Sequence, residues 1–302
     1  MSDESADSAI NSQEIERNDL SGRLYEPLGT GSGPGVLVLH GGGANDERGY
    51  ASRYACLLAH HGYAVLDLAY FDTPETPPDL VEIPIEYFSR AIDWLLEQDE
   101  VTADRVGTVA WSRGTEAQFL LAARDDRVGV TIAYVPSAYV FPGLPGDEPG
   151  DGSVSAWSSD GDPVPFVQPY EGVEDDMDES SLVRFHRTIE RASSDMLECA
   201  ALSVETVSGP VLLVSGEEDA VWPSSQFAGT LVGRLSKHEH RWSYEHLQYP
   251  EAGHGIASPY NPPSEGLVDQ LGGTCSGNAY AEADAWFHAL TCLQRGFHGE
   301  RG

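Results

Sequence analysis

Along this chain, compact apolar runs alternate with stretches whose apolar residues recur every three or four positions. Residues 36–40 form a valine- and leucine-rich run suited to a strand buried on both faces. Tyr50, Tyr54, Leu57 and Leu58 then recur at helical spacing, and residues 63–68 read as the next strand. Pro84 opens a helix with Ile85, Phe88, Ile92, Leu95 and Leu96 on one face. A run at 106–111 hands over to a helix-like stretch at 114–124, and a strand at 128–135 follows. The alternation resumes with a strand at 211–215, a helix at 225–237 and a strand at 246–249. It ends on a long helix with Ala283, Trp286, Phe287, Leu290 and Leu293 inward. This rhythm predicts an α/β fold: a mostly parallel central sheet covered by helices on both faces.

Two segments depart from the rhythm. Residues 1–19 are polar and acidic and read as a disordered tail, which leaves 20–302 as one domain. Between 141 and 190 the pattern breaks into Gly-, Pro- and Asp-rich sequence with a short helix at 181–191, an insertion expected to act as a lid.

Charge narrows the possible partners. Asp and Glu total 49 against 17 Lys and Arg, a formal net charge of −32, and Lys237 is the only lysine. Acidity spread along the whole chain argues against nucleic acid or an anionic membrane as partner, since both require basic footprints. It points instead to adaptation to concentrated salt, where screening removes the self-repulsion. Four scattered cysteines (Cys56, Cys199, Cys275, Cys292) suit a reducing compartment, and no basic, apolar leader is visible. A cytoplasmic protein is expected. His238 and His240 form an H-x-H string without a third ligand, so no metal or cofactor is expected.

The chemistry centres on Ala110-Trp111-Ser112-Arg113-Gly114, at the junction of a strand and a helix. A serine with a tiny side chain two positions away on either side is what a nucleophile elbow requires, here with alanine in the first small position. Serine also needs a base oriented by an acid. Asp219 follows the strand at 211–215 and His254 follows the strand at 246–249, giving the chain order Ser, Asp, His. Glu217 and Glu218 are rival acids closer to the strand end. His40-Gly41-Gly42-Gly43 follows the first apolar strand, and an oxyanion hole is expected from the backbone N–H of Gly43 or Ala44 together with that of Arg113.

These residues resemble the α/β-hydrolase superfamily. Within it they resemble the C-terminal catalytic domain shared by acyl-CoA thioesterases and bile acid-CoA:amino acid N-acyltransferase. The resemblance is carried by His40-Gly41-Gly42-Gly43, Ala69-Tyr70-Phe71, Ile83-Pro84-Ile85, Ser112-Arg113-Gly114 and Ser215-Gly216-Glu217-Glu218-Asp219. It continues through Val221-Trp222-Pro223, Gly253-His254 and Gly272-Gly273-Thr274. It implies Ser112 as nucleophile, Asp219 as acid and His254 as base, acting on a small-molecule acyl thioester or ester. Members that transfer the acyl group to an amino acid typically carry cysteine at the elbow, so Ser112 implies hydrolysis. Members often place an immunoglobulin-like domain ahead of the catalytic one, and this chain is expected to lack it. Arg113, Arg184, Arg187 and Arg191 are candidates to receive coenzyme A phosphates. A small ester or lactone, as for dienelactone hydrolases, is the alternative substrate, and a ligand- or partner-binding member of the fold is the alternative to an enzyme.

Overall fold

The computed structural model describes residues 10–17, 19–29, 31–43, 49–145, 154–170, 172, 180–261 and 264–298. An eight-stranded sheet runs through it. In chain order its strands are β1 (Ser12–Arg17), β2 (Leu20–Tyr25), β3 (Gly33–Leu39), β4 (Ala64–Ala69), β6 (Val101–Trp111), β7 (Val128–Tyr134), β10 (Val211–Gly216) and β11 (Tyr244–Tyr249). Their order across the sheet is β1-β2-β4-β3-β6-β7-β10-β11. Only β1 with β2 and β2 with β4 pair antiparallel, and every other pair is parallel. A small second sheet joins β5 (Ile83–Pro84), β8 (Trp157–Ser159) and β9 (Asp162–Pro163).

The period of two in the strands divides the core into two layers. Leu37, Leu39, Ala110, Ala133 and Leu213 face one way, against α2 (Ile85–Leu96), α3 (Arg113–Ala122) and α6 (Ser224–Lys237). Val36, Val38, Val109, Ile132 and Val214 face the other way, against α1 (Gly49–His60) and α8 (Cys275–His298). The central strands are buried on both faces, which is why they appear in sequence as unbroken apolar runs. Burying each Val, Leu or Ile side chain among them contributes about 1.5–3 kcal/mol.

Three expectations change. Residues 12–17, placed in the disordered tail, form strand β1, paired with β2 in full register from Ser12↔Tyr25 to Arg17↔Leu20. An edge strand covered on one side needs few apolar positions, and Ile15 alone turns into the core. Residues 1–9 of the expected tail lie outside the described residues. In α8 the buried stripe runs through Asn278, Ala281, Glu282, Ala285, Trp286, Ala289 and Leu293, so Phe287 stands off it and is exposed. The insertion carries α4 (Ser181–Arg191) as expected, but also β8 and β9, and α5 (Ser194–Ala200) follows it.

Candidate active site

The parallel strands end together on one side of the sheet, so the loops leaving β3, β6, β10 and β11 share one crevice. The loop after β6 is the sharpest. Ser112 holds φ 50° and ψ −123°, a conformation that costs an L-residue about 1–3 kcal/mol and persists only where packing enforces it. Gly114 makes the turn possible: a Cβ there would lie 2.2 Å from the His40 carbonyl oxygen. Ala110 meets no such restriction. It sits inside β6, paired with Leu39 and Ala133, and its methyl is packed in the core.

The loop after β10 delivers Asp219 and the loop after β11 delivers His254. His254 Nδ1 donates to Asp219 Oδ2 at 2.8 Å, and Ser112 Oγ lies 2.9 Å from His254 Nε2. Asp219 is buried, and its second oxygen accepts from the backbone N–H groups of Val221 (2.9 Å) and Trp222 (3.1 Å). An acceptor-only group at Nδ1 fixes the imidazole tautomer and leaves Nε2 free to accept the serine proton. The rivals are not in reach: Glu217 accepts from Gln248 at the exposed surface, and Glu218 is exposed.

Acid and base loops are also fastened to each other. His254 N–H donates to Leu271 O (2.7 Å) and Ala220 N–H to the same carbonyl (3.2 Å), while Glu218 N–H donates to Ala252 O (3.0 Å). From α8, Asn278 accepts from Gly253 N–H and donates to the carbonyls of Gly272 and Thr274. Gly272 and Gly273 hold φ of 84° and 75° and press against the backbone of Glu218 and Gly253. The Gly272-Gly273-Thr274 string therefore works by close backbone approach beside His254.

The glycine turn after β3 lies beside the serine, with the Cβ position of Gly41 3.3 Å from Ser112 Cβ. Two tyrosines pin it. Tyr70 Oη donates to His40 O at 2.6 Å, and Gly41 N–H donates to Tyr50 Oη at 2.7 Å. Gly43 and Arg113 both line the crevice, Arg113 as the first residue of α3, where a backbone N–H has no intrahelical partner. Ala44, the other expected oxyanion donor, lies outside the described residues.

These loops enclose a cavity of about 860 Å³. Leu144, Phe185, Trp222, Leu267 and Leu271 give it an apolar side, whereas Tyr50, Arg53, Asn261 and Glu282 are polar. Trp222 meets the His254 ring edge to face at 5.6 Å. Among the candidate phosphate ligands, Arg113 is not available: its side chain is buried, ion-paired with Glu116 and bonded to the carbonyls of Phe141 and Pro142. Arg191 instead caps the Tyr170 ring at 4.4 Å. Arg113 starts α3 and its side chain lies against the segment at Phe141 and Pro142, so it turns away from solvent.

Sequence reasoning missed Arg53, Tyr50, Tyr70 and Glu282. Only the Ala69-Tyr70-Phe71 string hinted at one of them. Glu282, 2% exposed, accepts from Ala257 N–H at 3.3 Å, and burial pushes its carboxyl up to about 8. A carboxyl raised in the folded state stabilises the fold fully below its ordinary value near 4.5, and that contribution fades as pH rises through about 8. Glu282→Gln should therefore gain stability relative to the parent across this window, read as a growing difference in Tm. A difference independent of pH would refute the assignment.

Comparison with known proteins places the site in a family. The sequence model described as "BAAT / Acyl-CoA thioester hydrolase C terminal" matches residues 83–298. Mouse "acyl-coenzyme A amino acid N-acyltransferase 1" is 30% identical over 286 residues, covering 92% of this chain and 63% of that protein. Mouse "acyl-coenzyme A thioesterase 6" is 28% identical over 298 residues, covering 95% and 65% respectively. The chain thus spans just under two thirds of the length of each. Among solved structures, an inhibited esterase B from Lactobacillus rhamnosis superposes with a TM-score of 0.59 at 16% identity, covering 98% of this chain and 89% of that one. That likeness establishes the α/β-hydrolase architecture.

Proposed function

The chain belongs to the BAAT / acyl-CoA thioester hydrolase C-terminal family, and from that premise we propose that it is a serine hydrolase of acyl thioesters. The observation that carries the reading is the unbroken hydrogen-bonded chain from Asp219 through His254 to Ser112. Ser112 Oγ attacks the acyl carbonyl carbon while its proton passes to His254 Nε2, and Asp219 stabilises the imidazolium. Backbone N–H groups of Arg113 and of the glycine turn, Gly43 or Ala44, receive the oxyanion. Collapse expels the thiolate, which takes the proton from His254 and leaves an acyl-serine. Water, deprotonated by His254, attacks that ester, and the acid departs as the proton returns to Ser112.

The leaving group is read as coenzyme A because the family relatives bear that name and because Arg53 is exposed at the cavity wall. It has no ion-pair partner among the described residues. The apolar side of the cavity then takes the acyl chain. A small neutral ester is the second reading, favoured by the net charge of −32, which repels a polyanion wherever salt does not screen it. Purified protein in concentrated KCl, assayed against acyl-CoAs, p-nitrophenyl esters and a dienelactone with Ser112→Ala as control, separates the two. Faster turnover of an acyl-CoA supports the thioesterase, and preference for simple esters over every acyl-CoA displaces it.

The same charge underlies a proposal about environment. Among the described residues no helix is long and apolar enough to cross a membrane, and the composition fits a salt-rich cytoplasm. At about 1 M salt the Debye length falls to roughly 3 Å. Dilution into low-salt buffer should unfold or inactivate the protein, followed by circular dichroism and esterase activity. Full activity in dilute buffer would reject salt adaptation.

A further inference from the structure

The first turn of α3 holds an ion pair that the steps at Ser112 do not use. Arg113 Nε lies 3.1 Å from Glu116 Oε1, with the two side chains 7% and 0% exposed. Removing two charges from water costs several kcal/mol per ion, and apolar residues of similar volume often replace such pairs with no loss of stability. The pair's other contacts show what it does. Arg113 Nη2 donates to the carbonyls of Phe141 (3.0 Å) and Pro142 (2.7 Å). Glu116 Oε2 accepts from the backbone N–H of Phe141 (3.3 Å) and from the indole N–H of Trp157 (2.8 Å). Phe141 is thus gripped at its N–H by the carboxylate and at its carbonyl by the guanidinium. Trp157 brings in β8, the middle strand of the small sheet.

Two residues of one helical turn therefore fasten both the start of the insertion and strand β8 within it. The segment they fasten forms a wall of the cavity. Leu144, three residues beyond Phe141, lines it, and Phe185 of α4 lines it while packing edge to face on Phe141 at 4.8 Å. Arg113 also touches the glycine turn: a Cβ at Gly42 would lie 2.9 Å from Arg113 Cγ and 3.0 Å from Leu144 Cδ1. The glycine turn and the insertion wall meet on this one side chain, which belongs to the residue that follows Ser112.

We propose that Arg113–Glu116 is a positioning pair that locks the insertion wall to the nucleophile turn and so sets which acyl groups the cavity accepts. The acyl selectivity rests on the hydrolase reading, whereas the lock does not. Glu116 is the position to perturb, since it makes no contact with the reacting atoms. Glu116→Gln keeps the shape and removes the charge. Arg113→Met together with Glu116→Leu removes both charges.

Two readouts test the proposal. Backbone hydrogen exchange in a peptide carrying Phe141 should accelerate about tenfold in Glu116→Gln, because one of the charged hydrogen bonds holding the segment is weakened. Across p-nitrophenyl esters of increasing chain length, kcat/KM for long acyl groups should fall about tenfold relative to acetate, since small displacements of a positioning wall carry effects of this order. The doubly substituted protein leaves the Phe141 N–H, the Trp157 indole N–H and the Phe141 and Pro142 carbonyls without these partners, so it should melt below the parent and keep the altered chain-length profile. Unchanged exchange at Phe141, a uniform loss across the series, or a double variant with the parent profile would each overturn the proposal. Should the parent hydrolyse neither p-nitrophenyl esters nor acyl-CoAs, exchange still decides the lock, and the hydrolase reading fails separately.

Discussion

Replacing Asp219 with asparagine should leave a folded protein whose kcat is reduced on the order of 10⁴-fold, the size of effect expected when a triad imidazole is held in the wrong tautomer. The reason lies in the two sides of the carboxylate. One oxygen accepts from the N–H groups of Val221 and Trp222, and the other accepts from His254 Nδ1. Asparagine has only one carbonyl oxygen. If it stays on the two backbone donors, its NH₂ faces Nδ1, which must then become the acceptor. The ring proton moves to Nε2, where it meets Ser112 Oγ at 2.9 Å and removes the base. Steady-state kinetics at saturating substrate, with a thermal melt to verify folding, measures this. A loss smaller than about 100-fold would mean that Asp219 does not orient the base.

Gly114→Ala should have the second largest effect. The added methyl carbon would lie 2.2 Å from the His40 carbonyl oxygen, 3.1 Å from that of Leu39 and 3.2 Å from the His40 carbonyl carbon. All three are backbone atoms, so no rotamer change relieves the clash, and β3 and α3 must separate. Overpacking of this kind costs about 1–3 kcal/mol. Separation also moves Ser112 away from the oxyanion turn, and a displacement near 1 Å costs on the order of 100-fold in rate. We expect a lowered Tm together with a kcat/KM loss of at least that order. Parent-like activity would show that the turn does not depend on this close approach.

What was legible in the sequence follows from how parallel sheets are buried. Strands covered on both faces must be continuously apolar, so β3, β4, β6, β7 and β10 stood out, and with them the loops that carry Ser112 and Asp219. The chain order of the three site residues gave their partnership before any distance was known. β1 was not legible, because one inward Ile15 among five exposed positions has the composition of a tail. The Arg113–Glu116 pair was also hidden. An i,i+3 pair of opposite charge looks the same in sequence on a solvated helix face as in a core, and only the packing of Phe141 and Trp157 over it reveals burial. Glu282 was invisible for the related reason that a carboxylate in a terminal helix is expected outside. Its place in the cavity wall depends on how α8 lies against the loop at Ile256 and Ala257.

The central claim is that Ser112 is a nucleophile activated by His254, and covalent labelling tests it most directly. Treated with a fluorophosphonate in concentrated KCl, the parent protein should acquire one adduct, which digestion and mass spectrometry should place on Ser112. Ser112→Ala should take none, and Asp219→Asn should react far more slowly. A parent that stays unlabelled, or a Ser112→Ala variant that labels as the parent does, would contradict the claim.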